Sequence, residues 1–375
     1  MTFRIEVVTE PGRFEEICQA WRQLWERSGA HIFQSHDWIT GWSTGIRDRR
    51  DVKLRVALAW DGDRLAAAMP CAVHRRAGLR VLTWAAQLFS DYCDGLIDPG
   101  YRRAGVLTLL WNELRRSGGF DLISLQQVRP DAQCRDFLDQ LAQGGSGLQS
   151  ADREERCMRI ENCWPDGDAF FRSLNKKGRN NYTRGKRILA ELGGEVRFRI
   201  IDATEPVGPV VDEILRLKEA WLRATNPTSP LLGADGFVLR AILDKAWQSG
   251  LAKIFLLECG DGIAAASINF VYANRMEAYL TSYDARFERA SPGTILIVEY
   301  ARWSFDRGLK YVDFLRGDEA FKFRMANAET VLSSFAGART LMGHVAVSGH
   351  RWLTRRRQRQ EMPDRSGKDE LETVD

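Results

Sequence analysis

The sequence predicts an α/β (α+β) protein built from two tandem copies of one unit, each a mixed, mostly antiparallel sheet flanked by helices. Three observations carry this expectation. Residues 56–76 (VALAWDGDRLAAAMPCAVHRR) and 254–275 (IFLLECGDGIAAASINFVYANR) share one pattern: an apolar run, a turn rich in Asp and Gly, an alanine triplet and a second apolar run. That pattern is a β-hairpin signature. Each hairpin is then followed by a strand, a helix closed by glycine, and another strand, an order whose recurrence implies internal duplication. Finally, 375 residues exceed one typical core and suit two.

The elements follow in order. MTFRIEVVTEPG reads as a first strand, without the basic and apolar regions of an export signal. After the first hairpin come LRVLTWAA, the segment LFSDYCDGLID, a helix from about Arg102 to Arg116, the pair Gly118-Gly119 and the strand FDLISLQQV. Residues 166–192 predict two helices, and 207–225 and 235–249 two more, with Trp221 and Trp247 on their packing faces. NPTSPLLG, 226–233, is a breaker-rich loop able to lie over a site. After the second hairpin come the strand RMEAYLTSYD, a helix from Pro292 to Phe305, Gly308 and the strand LKYVDFLRG. The end changes character: RWLTRRRQRQ carries five arginines and EMPDRSGKDELETVD six acids, a solvated and disordered charge run whose arginines would also suit a docking role.

Composition narrows the class. Hydrophobic residues at 44% and charged residues at 28% are ordinary for a soluble globular protein, and a net charge of +4 points to anionic ligands without implying DNA. No segment nears ~18 uninterrupted apolar residues, so no membrane span is expected. Seven scattered cysteines without a C-x-x-C pair predict reduced, structural thiols and a cytoplasmic protein. His31, His36, His74, His344 and His350 show no metal spacing, so no metal site is expected.

The stretch SYDARFERASPGTIL, 282–296, is the first candidate site. Ser291 is placed as an N-cap, Pro292 suits the first helical position, and Gly293 and Thr294 leave room at the positive end of the helix dipole. Arg286 and Arg289 stand just ahead as charge-assisted donors for a phosphate. A dinucleotide fingerprint and a P-loop are both missing, which counts against dehydrogenases and nucleotide triphosphatases. A second candidate is the basic segment Arg172–Arg187, with seven cations and no acid. At helical spacing Lys176, Arg179, Thr183 and Arg187 share one face, while Leu174, Tyr182, Leu189 and Leu192 lie toward another. Such a face would grip a phosphate-rich donor or an anionic sugar acceptor.

A meander leading into an anion-binding helix is similar to the core of GNAT acyltransferases. YLTSYDARFERASPGTILIVEYARWSFDRGLKYVDFLRGDEAFKFR more specifically resembles the CelD-like GNAT family, associated with cellulose and other exopolysaccharide synthesis. The motifs are a Tyr-Asp pair, Ser-Pro-Gly, a later Gly, Asp-Phe and a Gly-Asp-Glu-x-aromatic-Lys ending. LNKKGRNNYTRGKRILAELGG and SDYCDGLID match the family's basic helix and its earlier Asp-Tyr element, and Phe321 departs from it where tyrosine is usual. Related Fem-type aminoacyl transferases also pair two GNAT-like domains.

The resemblance implies two tandem GNAT-like domains: 1–150, degenerate and shaping the acceptor cleft; 151–345, the acyltransferase domain; and a tail, 346–375. It implies acyl-CoA, acetyl-CoA first, as co-substrate, held by Arg286, Arg289, Ser291, Gly293 and Thr294. Lys322 becomes the oxyanion-stabilising cation, Asp318 and then Asp284 the candidate carboxylates, and Tyr283 a donor to the thioester. Lys176, Arg179, Arg187, Asp91, Tyr92, Asp313 and Arg316 are the candidates for holding the acceptor, an amine or hydroxyl of a sugar nucleotide or polysaccharide precursor. No nucleophile elbow or Cys-His set is evident, so direct attack is expected. Two alternatives stand beside this: a Fem-like transferase using charged tRNA, and a non-catalytic component in peripheral contact with an exopolysaccharide assembly.

Overall fold

The computed structural model describes residues 2–102, 105–145, 147–201, 205–317 and 319–347. In chain order its elements are β1 (Arg4–Val8), α1 (Pro11–Glu16), α2 (Cys18–Ser28), α3 (His36–Gly45), β2 (Val52–Asp61), β3 (Arg64–Arg76), β4 (Leu79–Trp84), β5 (Leu96–Ile97), α4 (Val106–Ser117), β6 (Leu122–Val128), α5 (Arg135–Gln143) and β7 (Leu148–Glu161). Then follow α6 (Gly167–Ser173), α7 (Lys176–Gly193), β8 (Val196–Ile200), α8 (Val207–Thr225), α9 (Ala234–Gln248), β9 (Ala252–Cys259), β10 (Gly262–Tyr272), β11 (Arg275–Tyr283), α10 (Pro292–Asp306), β12 (Tyr311–Arg316), α11 (Ala320–Met325) and β13 (Ala328–Ala338). A further helical turn occupies 341–347.

All strands join one sheet, in the order β1-β2-β3-β4-β6-β13-β7-β12-β11-β10-β9-β8, with β5 pairing β3 off this path. Read from its two ends, the sheet repeats one order: an edge strand, a hairpin, a strand, and a parallel neighbour reached through a helix, α4 or α10. The last strand of each half crosses over. β7 follows β6 in sequence but pairs with β12, and β13 follows β12 but pairs with β6. The two crossing strands also pair with each other, antiparallel, over most of their length.

Helices cover both faces. On one, α2, α3, α8 and α9 share a single core with the sheet, including Trp21, Trp38, Ile214 and Ile242. Here α3 meets α9 at backbone distance, because Gly41 and Gly45 carry no side chain: a Cβ on either would stand 2.7 Å from an α9 Cα, of Ile242 or Val238. On the other, α4 and α5 cover the first half, and α6, α7 and α10 the second. The long apolar run of α10 is buried for that reason, from Ile295 to Phe305.

Most sequence expectations hold, with local differences. α4 begins at Val106, not Arg102, because a short 3-10 turn at Pro99–Tyr101 precedes it. Ser291 is not a side-chain cap: it adopts a left-handed conformation (φ 53°), and its side chain makes no capping bond. Leu192 is exposed, not part of the apolar face of α7. Cysteine pairing is not seen among the described residues, and of the thiols Cys163 alone is exposed. No described helix is long and apolar enough to cross a membrane. The tail from residue 348 lies outside the described residues.

Candidate active site

The parallel neighbours β11 and β12 pair only at Met276–Val312 and Glu277–Asp313, then part. In the first half β4 and β6 do the same, after Val81–Leu122 and Leu82–Ile123. There the gap is closed: the Gln87 side-chain carbonyl accepts from the Trp84 N–H at 3.4 Å and the Gln126 N–H at 3.2 Å, and the Cys93 N–H donates to the Gln127 carbonyl at 2.9 Å. In the second half the gap opens into a cavity of about 660 Å3. Its wall is β11 from Ala278 to Tyr283. Within that wall the register slips, so that Ile268 faces Leu280 and Asn269 faces Ala278, leaving Tyr279 unmatched on β10. A bulge of this kind re-aims backbone groups at the place where the neighbouring strand has departed.

One end of the cavity is the start of α10. Ser291, Pro292, Gly293 and Thr294 line it. A Cβ on Gly293 would meet nothing nearer than the Tyr283 ring at 3.8 Å, so glycine leaves the helix start open to the cavity. The preceding turn is fixed by Asp284, whose carboxylate accepts from the Arg286 N–H at 2.9 Å and from its guanidinium at 2.9 and 2.7 Å. Burial pushes the Asp284 carboxyl up, but these bonds outweigh it and hold the group below its ordinary value.

The other end gathers charge from both halves. Asp91, from the first half, faces the Arg316 guanidinium at 3.9 Å. Burial raises its carboxyl to about 7, against the pull of Arg316 and Lys322. Lys322 is 5% exposed; its ammonium donates to the Arg316 carbonyl and meets the Glu319 carboxylate at 2.9 Å. Arg316 is aimed by a left-handed Leu315 (φ 56°) and a register slip in β12, and is held by Glu155 of β7 at 2.6 Å. From α8 come Lys218 and Trp221, with the ammonium 4.2 Å from the ring centre. Burial lowers the Lys218 pKa. Ser229 and Leu231, from the loop after α8, also line the cavity.

Seven predicted residues therefore meet in one cavity: Lys322, Tyr283, Ser291, Gly293, Thr294, Asp91 and Arg316. Others do not. Tyr92 and Asp313 are buried beside it, the hydroxyl donating to both carboxylate oxygens at 2.9 and 2.8 Å, so they tie the halves together rather than face the cavity. Tyr92→Phe is expected to cost about 1–3 kcal/mol by leaving a buried acceptor short of a donor, with the KM for either substrate unchanged; urea unfolding and steady-state rates check this. Asp284 and Arg286 hold each other in the turn and border a second groove of about 520 Å3 beside the first. Arg289 is exposed near the start of α10. Of the α7 residues, Arg179 caps the end of α6 by donating to the Arg172 and Leu174 carbonyls, Arg187 pairs with Glu191 at 3.4 Å, and Lys176 is exposed; none lines the cavity. Asp318 lies outside the described residues. Lys218 was missed, and Trp221, expected to pack, lines both cavities. Cysteine and histidine are missing from the described residues of the cavity lining, and no described cluster could hold a metal ion.

Residues 176–323 match the family model for the acetyltransferase (GNAT) domain. The whole fold is similar to three solved structures. FemX is 9% identical, with 88% of this chain and 96% of that one covered at a TM-score of 0.56. The C-terminal domain of a putative lysylphosphatidylglycerol synthetase from Agrobacterium fabrum is 12% identical, with 89% and 94% covered at 0.52. A conserved protein of unknown function from Bacteroides thetaiotaomicron is 11% identical, with 90% and 99% covered at 0.50. These likenesses concern the fold. No curated protein matches the chain. The stretch from α7 to α11 is a GNAT-type acyltransferase domain.

Proposed function

We propose that the protein moves an acyl group, acetyl first, from acyl-CoA to an amine or hydroxyl of a sugar nucleotide or polysaccharide precursor. The observation that carries this reading is the cavity between β11 and β12, with an open helix start at one end and Asp91, Lys322 and Arg316 at the other. The unpaired edge of β11 offers backbone groups to the amides of a pantetheine arm. Gly293 and Thr294 offer the positive end of α10 to its phosphates, with Arg289 beside them. Lys322 would meet the negative charge that develops on the carbonyl oxygen. Asp91, with a pKa near neutrality, would take the proton of the attacking amine or hydroxyl. With no cysteine or histidine in the described lining, direct attack on the thioester is the route the residues support.

In this reading residues 1–150 and 151–345 are tandem domains, and the first has traded donor binding for acceptor handling. Its own gap is plugged by the segment that delivers Leu88, Phe89 and Asp91 to the second cavity. The sugar-based acceptor rests on the CelD-like motifs, and on the aromatic and charged side chains that converge around Trp221. Charged tRNA is the second reading, favoured by the exposed cations Lys176, Lys177 and Arg184 of α7.

Calorimetric titration with acetyl-CoA and CoA tests the proposal. The wild type is expected to bind both, and Gly293→Val, which places its side chain in open cavity space, to bind at least about tenfold more weakly with an unchanged melting temperature. A folded wild type that binds neither ligand would overturn the donor assignment, and salt-dependent retention of charged tRNA would then favour the second reading.

A further inference from the structure

Among the described residues that line the cavity, the cations are Lys218, Arg316 and Lys322. The last two are already answered. The Lys322 ammonium meets Glu319 at 2.9 Å, and the Arg316 guanidinium meets Glu155 at 2.6 Å and Asp91 at 3.9 Å. Lys218 has no hydrogen bond or ion pair to any described residue. What it has is the Trp221 ring, three residues on along α8, with its ammonium 4.2 Å from the ring centre. A ring face offsets only part of the cost of taking an ammonium out of water. The depressed pKa of Lys218 reflects the part that is left.

The charge is placed rather than stray. Ile214, Leu217 and Leu222 bury that stretch of α8 in the core, which leaves Lys218 and Trp221 on the side that lines the cavity. Glu319 and Lys322 are the charged groups that act on Lys218. It therefore stands at the end where the thioester carbonyl would lie, not at the start of α10 where the phosphates of the donor would. An anion on the acceptor is the partner this ammonium lacks. A single charge fits better than a double one. Glu319, and Asp91 once ionised, would repel a dianion, while Arg316 and Lys322 are already engaged. The indole beside the ammonium offers an apolar wall for a sugar ring.

We propose that Lys218 is the specificity-determining counter-ion for an acceptor that bears a carboxylate beside its acylated amine or hydroxyl, an acidic sugar unit. This rests on the acyltransferase reading of the cavity and narrows its acceptor.

Calorimetric titration of the CoA-loaded protein tests it. The probes are glucose, glucuronic acid and glucose 6-phosphate, and the same three forms of glucosamine. One of the two uronic acids is expected to bind at least about tenfold more tightly than its neutral sugar, and more tightly than its 6-phosphate. Lys218→Met keeps the apolar stem and should erase that preference, with CoA taken up as by the wild type. Without ligand this variant should melt no lower than the wild type, because it loses a desolvated charge that had no partner. A lysine in a structural ion pair would show the reverse. Acid bound no better than neutral sugar, no probe bound at all, tighter binding of the phosphate, or a Lys218→Met variant that keeps the preference or melts lower would overturn the proposal. A wild type that does not bind CoA would remove the acyltransferase reading itself, and this proposal with it.

Discussion

Lys322→Met is expected to lower kcat by about 10²–10³, the usual effect of removing one preorganised donor to a developing oxyanion. Affinity for acyl-CoA should change less than about twofold, because the ammonium acts at the carbonyl and the phosphates are held elsewhere. Methionine keeps the apolar stem, which packs where only 5% of the residue is exposed. Glu319 loses its partner but is 49% exposed in its side chain, so water can solvate the carboxylate and the fold should survive. Single-turnover rates and a calorimetric donor titration together separate this from misfolding. A variant with wild-type kcat would remove Lys322 from the chemistry.

Asp91→Asn is expected to cost about 10²–10⁴ in kcat and to change the pH profile. The ionised carboxylate is the active form, so the wild-type rate should climb with pH through about 7 and level above it. The variant should lose that limb. Stability should move the opposite way. Burial raises the folded-state pKa above the ordinary carboxylate value, so the favourable contribution is complete at acid pH and is lost as pH rises toward 7. At pH 8 asparagine should therefore be the more stable residue, by up to about 4 kcal/mol, whereas below pH 4 the two proteins should melt alike. A rate–pH profile and melting curves at both pH values check the pair. Losing activity while gaining stability in alkali is not the mark of a structural ion pair.

Much of the local structure was legible from pattern. The two hairpins, the helices after them and the glycines that end those helices are set by short-range chemistry. The crossing of β7 and β13 was not, because partner choice between distant strands leaves no local trace. The site divides in the same way. Gly293 and Thr294, named from the recognisable sequence of a helix start, and Tyr283, named from the Tyr-Asp motif, all line the cavity. Lys218 and Trp221 were not named for it, because a helix stripe that faces a cavity looks like one that faces a core. Tyr92 and Asp313, named for the acceptor from motifs alone, are buried against each other, a pairing between distant segments that no local pattern marks. Asp91, placed with the acceptor by motif, is the carboxylate we propose as base in preference to Asp284, since Arg286 already occupies the latter.

The crossing of the last strands bears on how the chain is made. β7 leaves the ribosome with residue 161, but its partners on both edges are β12 and β13, which end at 316 and 338. At ordinary synthesis speeds that is a wait of roughly 8–30 s. For that interval a fourteen-residue strand has both hydrogen-bonding edges open, a situation that invites pairing with neighbouring nascent chains. The segment is written as if to survive it: LQSADREERCMRIE places Asp, Arg, Glu, Glu and Arg in succession at its centre. An aggregate would have to strip water from five charged side chains in a row. The charge block that looks wasteful in a central strand is thus a safeguard for the period before the strand becomes central.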